Sequence, residues 1–376
     1  FSSLLFLPFN VFSTVNFLSK TDIIERTTLN FVINLNFLLF LSFLPLSIQL
    51  TQPIVLTVYS LILIIINKNN FRSILEFLRL FLPLLVIFII LAVNISFELY
   101  LGWDAKYFYY IKSLFFYEAK SIFDLNQFEY SQWHPHFGSY LWGFFWNLSF
   151  IDIEYFGRLF YLFLFCYSFF IISKFFKKDT INNLIFLLLI LLAYEYKFFS
   201  GLQEVLIFSI LIILSKYFFL VTKKDNNIIL FSILLFSNLL IWIKSEGIIY
   251  FLILLFLLLL QNQISIKKRI LITCSFVAFY LLKLLVYEIS DLDSGQRAFY
   301  NFEYIQNLDW NIIFYKLANI IIWFLYYLSN NIFFLLFILL IMYELYFAKK
   351  DVKKNQKYYF SLLVYLLFFI IFIILA

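Results

Sequence analysis

The chain has 376 residues, 64% of them hydrophobic and only 13% charged, with a formal net charge of +6 and a mean hydropathy of +0.94. A soluble globular fold of this length has too little interior to hide that much apolar surface, so the composition excludes that class. Apolar runs of about 15–20 residues approach the hydrocarbon thickness of a bilayer. Runs such as NNLIFLLLILLA, residues 182–193, lack the alternation of a β-barrel strand. The expected fold is an all-α polytopic membrane protein.

In chain order, spans are expected at about 31–50, 52–67, 79–98, 155–173, 181–195, 204–221, 227–243, 246–260, 269–287, 331–347 and 359–376. That makes about 11 transmembrane helices in a single transmembrane domain covering 1–376. Residues 1–18 read as part of a further span. The chain begins at Phe1 rather than Met and stops inside an apolar run at Ala376, as a piece of a longer protein would. Cys166 and Cys274 each fall inside an apolar run and read as inert core thiols, not as a disulfide or a metal site.

Charge sets the expected orientation, because short loops rich in Lys and Arg stay cytoplasmic. The loops Lys68–Arg72, Lys174–Lys178, Lys223–Lys224, Lys267–Arg269 and Lys349–Lys357 are all basic. They share a side only if the stretches 138–150 and 312–328 do not cross, so both read as helices in the outer interface. The acidic excess, which did not enter that choice, falls on the opposite side. So do all seven glycines and all seven tryptophans, which marks the outer face as the shaped one. The expected location is the inner (plasma) membrane, multi-pass, with the chemistry on the extracytoplasmic face.

The first outer loop, about 99–137, is the longest polar stretch and holds the only two histidines. Residues 107–119 (YFYYIKSLFFYEA) read as an amphipathic surface helix carrying Lys112. Asp104 lies a few residues past a span, where a carboxylate serves either as a general base toward a hydroxyl or as a solvated loop acid. His134-Pro135-His136 with Glu129 offers either a divalent-metal pair or interfacial contacts to phosphate and water. The turn Trp242–Gly247 puts Lys244 and Glu246 between two spans. It reads either as a polar turn reaching the headgroups or as a phosphate-binding cation held by its acid. Glu204 opens a span, a position favoured by the helix dipole. The second large outer loop, about 288–311, has the size of a substrate-covering loop and holds a single arginine, Arg297, as a candidate phosphate ligand. Arg158, at the outer end of its span, is a second candidate. No GxGxxG, Walker, HExxH or GxSxG pattern is present, so no cofactor and no nucleic-acid partner is expected.

Four segments, in this order, carry a family likeness: GWDAKYFYYIKSL, QWHPHFGSYLWGFFW, FFSGLQEVLIFSILIIL and IWIKSEGIIYFLILL. The chain resembles the GT-C superfamily of integral-membrane glycosyltransferases, which includes protein O-mannosyltransferases and lipid A aminoarabinose transferases. Its likeness to their bacterial relatives is closer, and it extends over about residues 79–350. The segments match the family's loop Trp-Asp with its amphipathic helix, its His/Tyr-Pro segment, its Gly-x-x-Asp/Glu turn and its Lys-Asn-Glu-Gly turn. Ala105 follows Asp104 where many members have Glu, and Pro135 is single where many have two prolines.

The resemblance implies transfer of a sugar from a polyprenyl-phosphate donor to a lipid, glycan or protein acceptor. It implies inversion at the sugar carbon and Asp104 as the catalytic base. The expected substrate-binding set is Lys112, Glu129, His134, His136, Arg158, Glu204, Lys244, Glu246 and Arg297, with no metal. Two alternatives remain: an O-antigen-type polymerase or ligase, which would favour an arginine-rich outer loop, and a lipid-linked sugar flippase or transporter. The last would gather its charges at the membrane midplane.

Overall fold

The computed structural model describes residues 23–66, 71–127, 134–149, 152–174, 179–223, 226–261, 263–292 and 310–330. All regular structure among them is helical. The helices are α1 (Ile23–Ser42), α2 (Ile48–Ile66), α3 (Phe71–Ser96), α4 (Tyr110–Tyr117), α5 (Phe137–Asn147), α6 (Tyr155–Ser173), α7 (Asp179–Ala193), α8 (Glu204–Lys223), α9 (Asn227–Ile243), α10 (Gly247–Leu259), α11 (Ile266–Ile289) and α12 (Trp310–Asn330). A π-helical turn, Ala105–Tyr109, leads into α4.

Four described helices are long and apolar enough to cross a membrane: Arg79–Ser96 of α3, all of α6, Glu204–Val221 of α8, and α11. The described apolar parts of α1, α2, α7, α9 and α10 are shorter. The expected span 31–50 is replaced by a break. α1 ends at Ser42 and α2 starts at Ile48, because Pro45 lacks an amide donor and pushes the residue before it out of the helical region. The expected spans 331–347 and 359–376, and the partial span 1–18, lie outside the described residues. α12 covers the stretch expected at 312–328.

The stretch 138–150 forms α5 but does not lie with one face free. Phe137 through Trp146 are all buried. With 11 residues, α5 is about 16 Å long, too short to cross a bilayer. It is held between α2, α4 and α6. Cys166 is buried in α6, whereas Cys274 is exposed on α11 rather than in the core.

The chain divides into two compact units: Phe1–Phe251 with Ser265–Ser294, and Leu252–Ile264 with Gly295–Ala376. In the first, α6 is central and packs against α3, α5, α7 and α8, while α9 joins α8, α1 and α11. Its interior is aromatic: Phe160, Phe163, Phe165 and Tyr167 are all fully buried. Between apolar helices such contacts act through close packing rather than through exclusion of water.

Polar side chains tie the helix ends. Lys216 of α8 donates to the carbonyls of Ile171, 2.7 Å, and Lys174, 3.3 Å, where α6 ends. That places a cation on two carbonyls at the negative end of the helix dipole. At the other end of α6, the Tyr155 hydroxyl meets the Ala92 carbonyl and the Tyr194 hydroxyl donates to Asn94 Oδ1 at 2.6 Å. The C-terminal ends of α3 and α7 therefore gather at the start of α6. At that end the loop segments after α3 and before α5 and α8 also meet.

Candidate functional site

Beyond α3 the chain is extended until the Gly102 amide donates to the Ser200 carbonyl at 2.9 Å, which fastens it to the α7–α8 loop. The π-turn and α4 then bury one face, made of Ala105, Tyr109, Lys112, Ser113 and Phe116. Trp103, Tyr107 and Ile111 remain exposed, giving the amphipathic helix expected from the sequence. Gly201 makes the approach possible. Its φ of +90° belongs to glycine, and an added Cβ would lie 2.7 Å from the Trp142 ring and 2.9 Å from the Ala105 side chain.

Asp104 sits just before the π-turn, half-exposed, and its side chain makes no cap hydrogen bond. Across from it, Lys244 pairs with Glu204 at 2.6 Å and Glu246 at 3.3 Å. Burial works against the Lys244 ammonium, but the two carboxylates outweigh it and hold its pKa above the ordinary lysine value. Tyr109 lies among these groups. Burial first, then the negative charges of Glu204, Glu246 and Asp104, raise its phenol well above the usual range. Three carboxylates from three distant segments thus act on one buried hydroxyl.

Behind them lies a second layer. Lys112 is fully buried and donates to the His134 carbonyl at 2.7 Å, pinning the His134-Pro135-His136 segment to α4. Burial pushes its pKa down to about 7. His134 lies against the rings of Phe108 and Tyr109. Burial, helped by Lys112 and Lys244, lowers its pKa to about 4. His136 is also buried and lies among different rings, those of Phe43, Phe116 and Trp242. Its pKa falls to about 3, mainly by burial, with Lys112 and Lys283 adding to the shift. Both imidazoles are therefore neutral at pH 7.

Of the expected site residues, Asp104, Lys112, His134, His136, Glu204, Lys244 and Glu246 come together here. Glu129 and Arg297 lie outside the described residues, as does most of the loop 288–311. Arg158 is committed elsewhere. Its guanidinium forms a paired contact with Glu154 at 2.7 and 2.8 Å and donates to the carbonyls of Tyr100 and Phe199. These bonds take four of its five N–H donors, and the side chain is 2% exposed. In place of the expected phosphate ligand, Arg158 is a brace holding the loops at 100 and 199. Among the described residues no group of three His, Cys, Asp or Glu side chains is arranged to hold a metal.

Three contributors escaped sequence reasoning. Gln203, fully buried, meets Ser139 at 3.1 Å and, with its amide oriented to suit both neighbours, reaches the Ile243 carbonyl, linking α8, α5 and α9. Ser42 bonds His136 from 94 residues away. Tyr109 looks like one of many aromatics. Only Gln203 carried a local signal, being next to Glu204.

The buried Lys112 gives a pH prediction. Its folded pKa lies below its unfolded value, so the unfolded chain binds the extra proton between about pH 7 and 10.5. Stability in that window rises with pH. The thermal midpoint of the wild type, measured relative to Lys112→Met, should climb from pH 7 to 10 and be flat below 7. A flat difference throughout would mean that Lys112 is not buried.

Comparison of the chain with protein-family models, with curated proteins and with solved structures finds no match.

Proposed function

We propose that this chain is a membrane glycosyltransferase that moves a sugar from a polyprenyl-phosphate donor to an acceptor hydroxyl on the extracytoplasmic face. The observation that carries this reading is the convergence of Asp104, Glu204, Lys244 and Glu246 around Tyr109, with Lys112, His134 and His136 behind. The likeness in the four ordered segments supports it as well. Asp104 takes the proton from the acceptor hydroxyl, and the freed oxygen attacks the anomeric carbon. The bond from that carbon to the phosphate oxygen breaks, and polyprenyl phosphate leaves with the electron pair. Lys244 is a cation available for the charge that develops, and phosphate must share it with Glu204 and Glu246.

The orientation rests on the positive-inside rule, which assigns the basic loops read from the sequence to the cytoplasmic side and these residues to the outer one. A flippase or transporter would draw on charges midway along the helices. Within α1 and α9 the amides Asn36 and Asn238 join at 2.9 Å, and they carry no charge. Membranes containing the chain should move label from a radiolabelled polyprenyl-phosphate sugar into a product of different mobility. Label that stays on the lipid with every donor tried, as in membranes lacking the chain, would defeat the proposal.

A further inference from the structure

His136 shows a specific unmet need. The Ser42 hydroxyl donates its one proton to the Leu39 carbonyl at 2.6 Å. Ser42 Oγ, 2.9 Å from His136 Nε2, must therefore accept in that second contact, so Nε2 carries the imidazole proton. A neutral ring protonated at Nε2 has a lone pair at Nδ1. That atom is buried and has no hydrogen-bond partner among the described residues. An acceptor left bare in the interior costs its full desolvation, so such an atom marks a place built for a donor.

Lys283 of α11 provides a second, independent observation. It is 5% exposed and forms no ion pair among the described residues; its ammonium lies 5.5 Å over the Tyr287 ring. Tyr287 contacts Trp242, and Trp242 contacts His136. Lys283 is close enough to His136 to act on it electrostatically, as is Lys112. The ligand for this place must donate to Nδ1, and the basic side chains of Lys283 and Lys112 nearby favour one with a negative end. A fully ionised phosphate has no proton to donate. A metal ion would meet two like charges and only one imidazole. A hydroxyl group satisfies both requirements.

We propose that His136 Nδ1, with Lys283 and Lys112 behind it, forms a hydroxyl-binding subsite beside the start of α5, occupied by water or by an alcohol of the substrate. The sugar-alcohol form of this proposal rests on the glycosyltransferase reading; the water form does not.

The test is the imidazole nitrogen spectrum of histidine-labelled protein in lipid nanodiscs, since His134 and His136 are the only histidines. His134→Gln assigns the remaining signals to His136. The expected result is the Nε2–H form with the Nδ1 resonance moved upfield from its bare lone-pair position. If that shift is present with no additive, water is the occupant. If it appears only on adding polyprenyl-phosphate mannose, the occupant is a sugar hydroxyl. A bare Nδ1 in both samples, or a proton on Nδ1, overturns the subsite. A subsite seen with water alone, in a protein that transfers no sugar, would leave the subsite standing and the transferase reading defeated.

Discussion

Alanine at Gly247 destabilises the protein by about 3 kcal/mol or more, although helix propensity alone would favour it by about 1 kcal/mol. Gly247 opens α10 three residues after the extended Lys244, and its amide donates back to the Lys244 carbonyl at 3.0 Å. A Cβ there would fall on the carbonyl group of Leu240 in α9. That neighbour is backbone, so it cannot turn aside as a side chain would. The α9–α10 turn has to open, which moves Lys244 and Glu246 away from Glu204. The thermal midpoint of detergent-purified Gly247→Ala should fall well below that of the wild type. A midpoint raised by the substitution would mean that propensity decides and that the close approach is not real.

The helices were most legible where an apolar run is bounded by a charge, a glycine or an extended turn. The expected 155–173 and 227–243 match α6 and α9 to the residue, and the expected 204–221 falls within α8. The break at Pro45 was less legible because apolar residues continue on both sides of it, and hydropathy sees no interruption there. Hydropathy also could not tell α5 from an interfacial helix. Both are aromatic-rich, and only the packing of α2, α4 and α6 around α5 decides.

The candidate site was legible as a set of segments but not as a set of contacts. Asp104, the two histidines, Glu204 and the Lys244 turn stood out because charge is rare in this chain and costly to leave in lipid. Their partners are non-local. The Lys244–Glu204 bond joins residues 40 apart, and the Ser42–His136 bond joins residues 94 apart. An amphipathic pattern would turn Lys112 toward water. Instead it shares the buried face with Tyr109 and Phe116, because its ammonium has the His134 carbonyl to bond. Arg158 misled for a related reason. At the end of a span an arginine serves equally as an anion ligand or as a brace, and the Glu154 one turn before it settles which.

These placements also limit what the site can do. Lys244 is neutralised by two carboxylates, and Asp104 adds a third acid nearby. The half-exposed rim is therefore acidic, suited to taking protons from hydroxyls. Lys106 is exposed two residues from Asp104, whereas Lys112 and Lys283 are buried near His136. On the proposed glycosyltransferase reading, a donor phosphate has to displace or share acid partners at Lys244.

The most direct measurement is the rate of sugar transfer by Asp104→Asn beside the wild type, in proteoliposomes supplied with a labelled polyprenyl-phosphate sugar. Asp104 is half-exposed and its side chain caps no helix, so asparagine should leave the thermal midpoint within about 0.5 kcal/mol of wild type in stability. An amide cannot take the acceptor proton, and loss of a general base lowers kcat by about 10²–10⁴-fold. Asp104→Glu, which keeps the carboxylate, should recover part of that loss. A folded Asp104→Asn that transfers sugar at the wild-type rate would contradict the account.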